Sequence, residues 1–194
     1  SEKLSGTINS AVQAKSLLPA GAPIEIFDSK ATAMALGFQV LAVAKAIEQG
    51  ASLPEALKVA EQAAKSTGVV FAVDTLEFLY RGGRIGGGAR FLGTALNFKP
   101  ILELRDGKVE ALERVRTRSK SLDRLIELVE QQVGGRTPLR LASLNANVAD
   151  EAHTLLEKAA AHLGAIEKYE TELSPTIGTH AGPGTIGLAY MAGI

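Results

Sequence analysis

Residues 101–112 of the chain read ILELRDGKVEAL, and this stretch specifies its own local fold. Runs rich in apolar and β-forming residues flank Asp106 and Gly107. An Asp-Gly pair between two such runs is typical of the two-residue turn that joins antiparallel strands. We therefore expect a β-hairpin with strands at residues 101–105 and 108–112.

Outward from the hairpin, strand-like and helix-like segments follow one another. A continuous apolar run at residues 69–73 predicts a buried strand. Further strands are expected at residues 139–144 and 165–172, and helices at residues 75–80, 91–98, 119–133 and 147–163. This order predicts an α/β domain, which we place at residues 67–194.

The first third of the chain is dominated by helices. We expect a helix at residues 8–18, a short strand at 24–27, and a third helix that begins at Ser52 and ends near Gly68. Residues 1–66 are interpreted as part of a parallel N-terminal α/β domain.

The second helix of this region is expected to start from a cap at Asp28 or Ser29 and to end near Gln49, before Gly50. It carries apolar residues on nearly every side. We therefore expect it to be packed between two layers.

The composition excludes several classes of function. Of the 194 residues 46% are apolar, and 21 basic residues balance 21 acidic ones, so binding to nucleic acid is not expected. The absence of cysteine excludes disulfides and thiolate metal sites and suits a reducing cytoplasm. Residues 173–194 lack Asp, Glu, Lys and Arg, but their two prolines and five glycines argue against a membrane-spanning helix.

Glycine is concentrated in two windows that suggest a binding site. Eleven of the twenty glycines lie within residues 82–93 and 178–193. Such clusters occur where the backbone turns with positive φ or approaches a ligand closely. Arg84 lies in the first window and His180 in the second, and both side chains suit a carboxylate or a phosphate. With Pro183 expected in the first turn of a following helix, the windows predict a shared anion site; two tight turns are the structural alternative.

A third candidate segment, Ser5, Gly6 and Thr7, precedes the first helix. Its hydroxyl groups either cap the helix or hydrogen-bond an incoming carboxylate. Ser5 or His180 could also be the active group of a hydrolase or transferase acting on acyl or phosphoryl groups, although the chain contains no G-x-S-x-G motif.

No metal site is expected, since His153 and His162 are nine residues apart and lie on opposite faces of one predicted helix.

A basic edge is also predicted. Arg114, Arg116 and Arg118 would line one face if the strand before them continued. Such a basic edge is either solvated or a docking surface for an acidic or phosphate-bearing partner.

Six motifs occur in the order in which one protein family carries them. They are residues 4–7 (LSGT), 26–29 (IFDS), 73–79 (VDTLEFL), 82–85 (GGRI), 96–102 (LNFKPIL) and 178–184 (GTHAGPG). Through them the whole chain resembles the DegV family, the fatty-acid-binding subunits of bacterial fatty acid kinase systems.

This resemblance implies a two-domain α/β protein that buries an acyl chain, with a partial parallel N-terminal domain at residues 1–66 and a larger domain with a mixed sheet at residues 67–194. Such a protein presents the carboxylate to a separate ATP-dependent kinase, which makes the acyl phosphate. It has no catalytic activity, cofactor or stable membrane insertion of its own.

The resemblance also implies roles for individual residues. Ser5, with its neighbours Gly6 and Thr7, and His180 would bind the carboxylate, and Arg84 would engage the kinase. We therefore expect Arg84→Ala to leave fatty-acid affinity nearly unchanged.

Family members also begin with a further stretch that carries a threonine ligand, and this chain starts after it. Ser1 and Glu2 stand where the family usually has paired serines.

Overall fold

Helices and strands alternate along most of the chain. The computed structural model describes residues 1–85 and 98–194, so the helix expected at residues 91–98 lies almost entirely outside the described part. The described helices are α1 (Thr7–Ser16), α2 (Ala33–Glu48), α3 (Leu53–Ser66), α4 (Glu77–Arg81), α5 (Arg118–Val133), α6 (Ala149–Leu163) and α7 (Pro175–Ala181). The described strands are β1 (Thr67–Ala72), β2 (Lys99–Arg105), β3 (Lys108–Val115), β4 (Leu139–Asn145), β5 (Glu167–Glu172) and β6 (Ile186–Ala192).

The expected hairpin forms between β2 and β3, with Arg105 opposite Lys108. The turn residues Asp106 and Gly107 have φ values of 49° and 77°. Positive φ at both central positions is what a type I′ turn requires, and this turn matches the twist of the strands that it joins.

The described strands form one mixed sheet in the order β3-β2-β1-β6-β4-β5. β4 and β5 are parallel, whereas every other neighbouring pair is antiparallel. The parallel pair is connected through α6, as a crossover requires. The predicted α/β fold with a mixed sheet is confirmed, and the separate partial domain at residues 1–66 stays a prediction.

Alternating side chains along β1 place a hydrophobic core on each face of the sheet. Val70 and Ala72 point to the face covered by α5 and α6. Val69 and Phe71 point to the opposite face, where Phe38 of α2 packs. The sheet is therefore the middle of three layers.

The strand expected at residues 24–27 does not form, and this prediction was wrong. A strand needs a neighbour to complete its backbone hydrogen bonds, and no described strand pairs with this segment. Its side chains Ile26 and Phe27 line a cavity instead.

The cap expected for α2 is also displaced. The helix begins after Thr32, four residues beyond Asp28. Asp28 accepts a hydrogen bond from the amide of Lys30 at 3.0 Å, and Ser29 accepts one from the amide of Ala31 at 3.3 Å. These two side chains therefore stabilise the loop before the helix rather than the helix itself.

α2 packs against the sheet and against α3 but leaves a further side exposed, so the prediction that it lies between two layers was wrong within the described residues. Phe38 is fully buried against the sheet, and Gln39 is 4% exposed. On the other side Val40 and Ile47 are 57% and 55% exposed.

The helix expected to begin at Pro183 was another wrong prediction. Gly182 and Gly184 have φ values of 83° and 78°, and the chain turns there into β6. Every residue of β6 is buried between β1 and β4, which explains why this segment carries no charge. No helix in the described part of the chain is long and apolar enough to cross a membrane.

The basic edge expected from Arg114, Arg116 and Arg118 does not form, because β3 ends before Arg116 and Arg118 begins α5. Arg118 donates from Nε to the carboxylate of Glu151 at 2.9 Å and from Nη1 to the carbonyl oxygen of Gly184 at 2.7 Å. It thus connects the helical layer to the turn before β6.

Candidate functional site

A cavity of about 590 Å³ lies on the α2 face of the sheet. Its walls are mainly apolar side chains from three strands and from several helices: Val69, Phe71, Leu104, Leu144, Leu36, Leu79 and Ile177. Its volume falls in the range of cavities that enclose small organic ligands. The lining favours a ligand with a long apolar part.

The structure places all five sequence-predicted site residues on the wall of this cavity: Ser5, Gly6, Thr7, Arg84 and His180. They come from the segment at the start of α1, the loop after α4 and the last turn of α7. The fold therefore brings three separate parts of the sequence to one cavity. The roles of Ser5, Gly6, Thr7 and His180 in binding the ligand, and of Arg84 in contacting a kinase, stay predictions.

Ser5 and Thr7 form a small hydroxyl cluster where α1 begins. Their Oγ atoms are 2.7 Å apart, and Ser5 Oγ also accepts a hydrogen bond from the amide of Thr7 at 3.2 Å. The N-cap of α1 is Gly6, so neither hydroxyl belongs to the capping residue. Both side chains are exposed and available to an incoming acceptor.

His180 is held between α7 and the end of α4, two helices that pack against each other. A β-carbon on Gly82 would overlap Nδ1 of His180, so the ring lies directly against the Gly82 backbone. Nδ1 is buried and has no hydrogen-bond partner among the described residues. Nε2 is consequently the ring nitrogen left to meet a ligand.

Arg84 is exposed at the cavity wall and connects two segments. Its Nε donates to the carbonyl oxygen of Leu4 at 3.2 Å, and its Nη1 donates to the carbonyl oxygen of Gly82 at 2.6 Å. The guanidinium is therefore anchored to the backbone on both sides rather than projecting freely into solvent.

Sequence reasoning missed several polar residues that also line the cavity: Ser1, Asp28, Ser29, Thr32, Ser174, Thr176 and Thr185. Thr185 is completely buried, and its hydroxyl lies 3.0 Å from the carbonyl oxygen of Ala181 and 2.8 Å from that of Gly182. It therefore stabilises the end of the helix that carries His180. The adjacent glycine turn was the only available signal for this residue.

A second polar cluster lies elsewhere on the surface, where His153, Glu157 and Glu170 place their ligand atoms within 4.8 Å of one another. Lys168 Nζ contacts the Glu157 carboxylate at 2.5 and 2.6 Å. The hydrogen bond to Glu170 raises the pKa of His153 above its usual 6.5. Because Lys168 already neutralises Glu157, we interpret this cluster as a set of surface ion pairs.

The sequence is similar to that of known proteins along almost its whole length. The model of the DegV family of uncharacterised proteins matches residues 1–193. A DegV domain-containing protein of Streptomyces coelicolor is 40% identical over 189 residues, which are 97% of this chain and 66% of that protein. Protein DegV of Bacillus subtilis is 35% identical over 98% of this chain and 68% of its own length. The chain thus spans about two thirds of the length of these relatives.

Solved structures have the same fold. A DegV family protein from Thermus thermophilus, described as binding a fatty acid, superposes with a TM-score of 0.92 at 37% identity, over 99% of this chain and 68% of the other. DegV of Bacillus subtilis, described as a fatty acid binding protein, gives a TM-score of 0.86 at 33% identity, with the same shares of the two chains. On the family model, the relatives and the fold together, the chain belongs to the DegV family.

Proposed function

We propose that this protein binds a long-chain fatty acid, encloses the acyl chain in the cavity and presents the carboxylate to a separate ATP-dependent kinase. The observation that carries the proposal is the meeting of an apolar cavity of about 590 Å³ with the hydroxyl groups of Ser5 and Thr7 and the imidazole of His180. Related proteins of the same fold are described as fatty acid binding, which supports this choice of ligand.

The apolar walls supply the driving force for the acyl chain. Each buried CH₂ group contributes about 0.8 kcal/mol, so a long chain gains around 10 kcal/mol before losses. Association and the ordering of the chain take back several kcal/mol. The remainder is sufficient for tight binding, provided that the head group is not left unpaired.

The polar residues of the cavity wall can supply hydrogen bonds to the head group. A buried carboxylate without donors costs more than each additional carbon of the tail contributes. The hydroxyl groups of Ser5 and Thr7 and the Nε2 of His180 supply donors of the right kind, and hydrogen bonds to a carboxylate are stronger than those between neutral groups. Thr185 stabilises the end of the helix that carries this histidine, through the carbonyl oxygens of Ala181 and Gly182.

The hydrogen bonds of Ser5 favour a binding role over a nucleophilic one. Its hydroxyl is bonded to the side chain and the amide of Thr7. A serine nucleophile needs a base within hydrogen-bond reach, and no bond between Ser5 and an imidazole or a carboxylate exists within residues 1–85 and 98–194. These contacts support a carrier rather than a hydrolase.

Transfer of a phosphoryl group then falls to a second protein. The chain contains no G-x-x-x-x-G-K-[ST] sequence for a nucleotide phosphate. Arg84, exposed beside the cavity, is the residue that we expect the kinase to contact.

Mass spectrometry under native conditions tests the binding step. Protein purified without added lipid should carry an adduct of fatty-acid mass, and added palmitate should displace a fluorescent fatty acid. His180→Ala should weaken palmitate binding, whereas His162→Ala, on an exposed histidine of α6, should not. Repeated absence of an adduct, together with no uptake of palmitate or oleate, would contradict the proposal.

The kinase step is tested separately, since acyl phosphate should form only when both proteins and ATP are present.

A further inference from the structure

Arg84 occupies a position between the two segments that supply the proposed carboxylate ligands. Its Nε donates to the carbonyl oxygen of Leu4, the residue directly before Ser5. Its Nη1 donates to the carbonyl oxygen of Gly82. One side chain therefore joins two parts of the backbone that are about eighty residues apart in the sequence.

Each of these anchor points touches a ligand residue. Gly82 lies against the His180 ring so closely that no β-carbon fits between them. Leu4 continues into the segment whose Ser5 hydroxyl is paired with Thr7 at 2.7 Å. Contacts that meet at one guanidinium thus connect the segment of the hydroxyl cluster to the backbone that supports the imidazole.

We propose that Arg84 is a positioning residue for the head group of the ligand: it fixes the spacing between Ser5 and His180 so that both donors reach one carboxylate. This inference rests on the proposed function and adds to it a role that differs from contact with a kinase. It also replaces the sequence-based expectation that Arg84→Ala leaves fatty-acid affinity nearly unchanged.

The chemistry of arginine suits this role better than that of lysine. The guanidinium is planar and holds its N–H groups in a fixed fork, so Nε and Nη1 reach two carbonyl oxygens with defined geometry. The ammonium of lysine is a point charge on a flexible stem and would hold one carbonyl at a time. Arg84→Lys therefore retains the positive charge and removes the bridge.

The test compares two ligands that share a tail, palmitate and hexadecanol, with Arg84→Lys and a matched control, Arg81→Lys. Arg81 lies on α4, is 77% exposed and pairs with Glu77, and it does not line the cavity. Arg84→Lys should weaken palmitate binding about tenfold and leave hexadecanol binding unchanged, since only the acid depends on the spacing of the donors. Arg81→Lys should change neither.

A measurement without ligand separates this inference from the proposed function. In the free protein, Arg84→Lys should shift the NMR signals of the His180 ring and speed amide exchange at Ser5, and Arg81→Lys should do neither. If the wild-type protein binds no palmitate, the proposed function fails, and these signals still decide whether Arg84 positions the two segments. Unchanged signals, wild-type affinity for palmitate, or equal losses for palmitate and hexadecanol would each overturn the inference.

Discussion

Gly82 lies directly against the imidazole of His180, and a single methyl group on its α-carbon would overlap Nδ1. The φ of Gly82 is −75°, which any residue adopts, so backbone strain does not explain the glycine. The close approach of the Gly82 backbone to the His180 ring explains why a glycine stands there. The packing of Gly82 against the ring therefore determines the position of His180, which we propose to bind the fatty-acid carboxylate.

Gly82→Ala should displace the His180 ring and lower palmitate affinity by about tenfold, because the donor no longer meets the carboxylate. Displacement of a fluorescent fatty acid measures the change. Gly178→Ala on α7 is the matched control, since a β-carbon there meets nothing within 4 Å. Equal affinities for the two variants would show that the ring position does not matter.

Patterns confined to neighbouring residues predicted much of the fold. Ser52 caps α3 as expected, and its amide donates to Glu55 at 2.8 Å in a capping box. Asp106 and Gly107 form the expected turn. In both cases the interacting residues are only a few positions apart, so the sequence contains the relevant information.

The failed predictions concern contacts with distant segments. Ile26 and Phe27 have the composition of a strand, but they line the cavity because no described strand pairs with them. Pro183 resembles the start of a helix, yet the residues after Gly184 lie between β1 and β4. Patterns among neighbouring residues do not show which distant segment a stretch of chain will pack against or pair with.

In the candidate site, too, the sequence predicted some residues, whereas contacts between distant segments were not predicted. Glycine clusters and residue types drew attention to Arg84 and His180 from the sequence alone. The bond from Arg84 to Leu4 spans eighty residues and emerges only when the chain is folded. Thr185 was missed because its hydroxyl acts on a helix end whose position the sequence did not predict.

Gly187→Ala should destabilise the protein by about 1–3 kcal/mol, because it overfills the centre of the sheet. A β-carbon there would overlap the carbonyl oxygen of Val70 and the backbone of Phe71 on β1, and neither can move without breaking the strand pair. Urea denaturation measures the free energy of unfolding. Gly37→Ala is the contrasting variant: its β-carbon meets only the flexible side chain of Met34, and alanine is favoured in a helix by about 1 kcal/mol.

If Gly37→Ala destabilises the protein as much as Gly187→Ala does, the distinction between rigid backbone and flexible side chain is wrong.

Glu170→Gln should lower the pKa of His153, because the hydrogen bond to that carboxylate is the main cause of its raised pKa. A raised folded-state pKa stabilises the fold below the unfolded value of about 6.5, and this contribution is lost as the pH rises through the folded pKa. The stability difference between wild type and Glu170→Gln should therefore be larger at pH 6 (about half a unit below that value) than at pH 9. NMR titration of the His153 ring gives the pKa, and an unchanged pKa in the variant would contradict the assignment.

Ile177→Trp should fill the cavity and weaken palmitate and hexadecanol binding equally, because it removes space for the shared tail and leaves the head-group donors in place. Ile177 lies on α7, lines the cavity and is only partly buried, so a larger side chain does not disrupt either hydrophobic core. Ile166→Trp is the control, at a position 61% exposed and away from the cavity. Loss of palmitate binding alone would place Ile177 beside the carboxylate instead, and wild-type affinity for both ligands would place the acyl chain elsewhere.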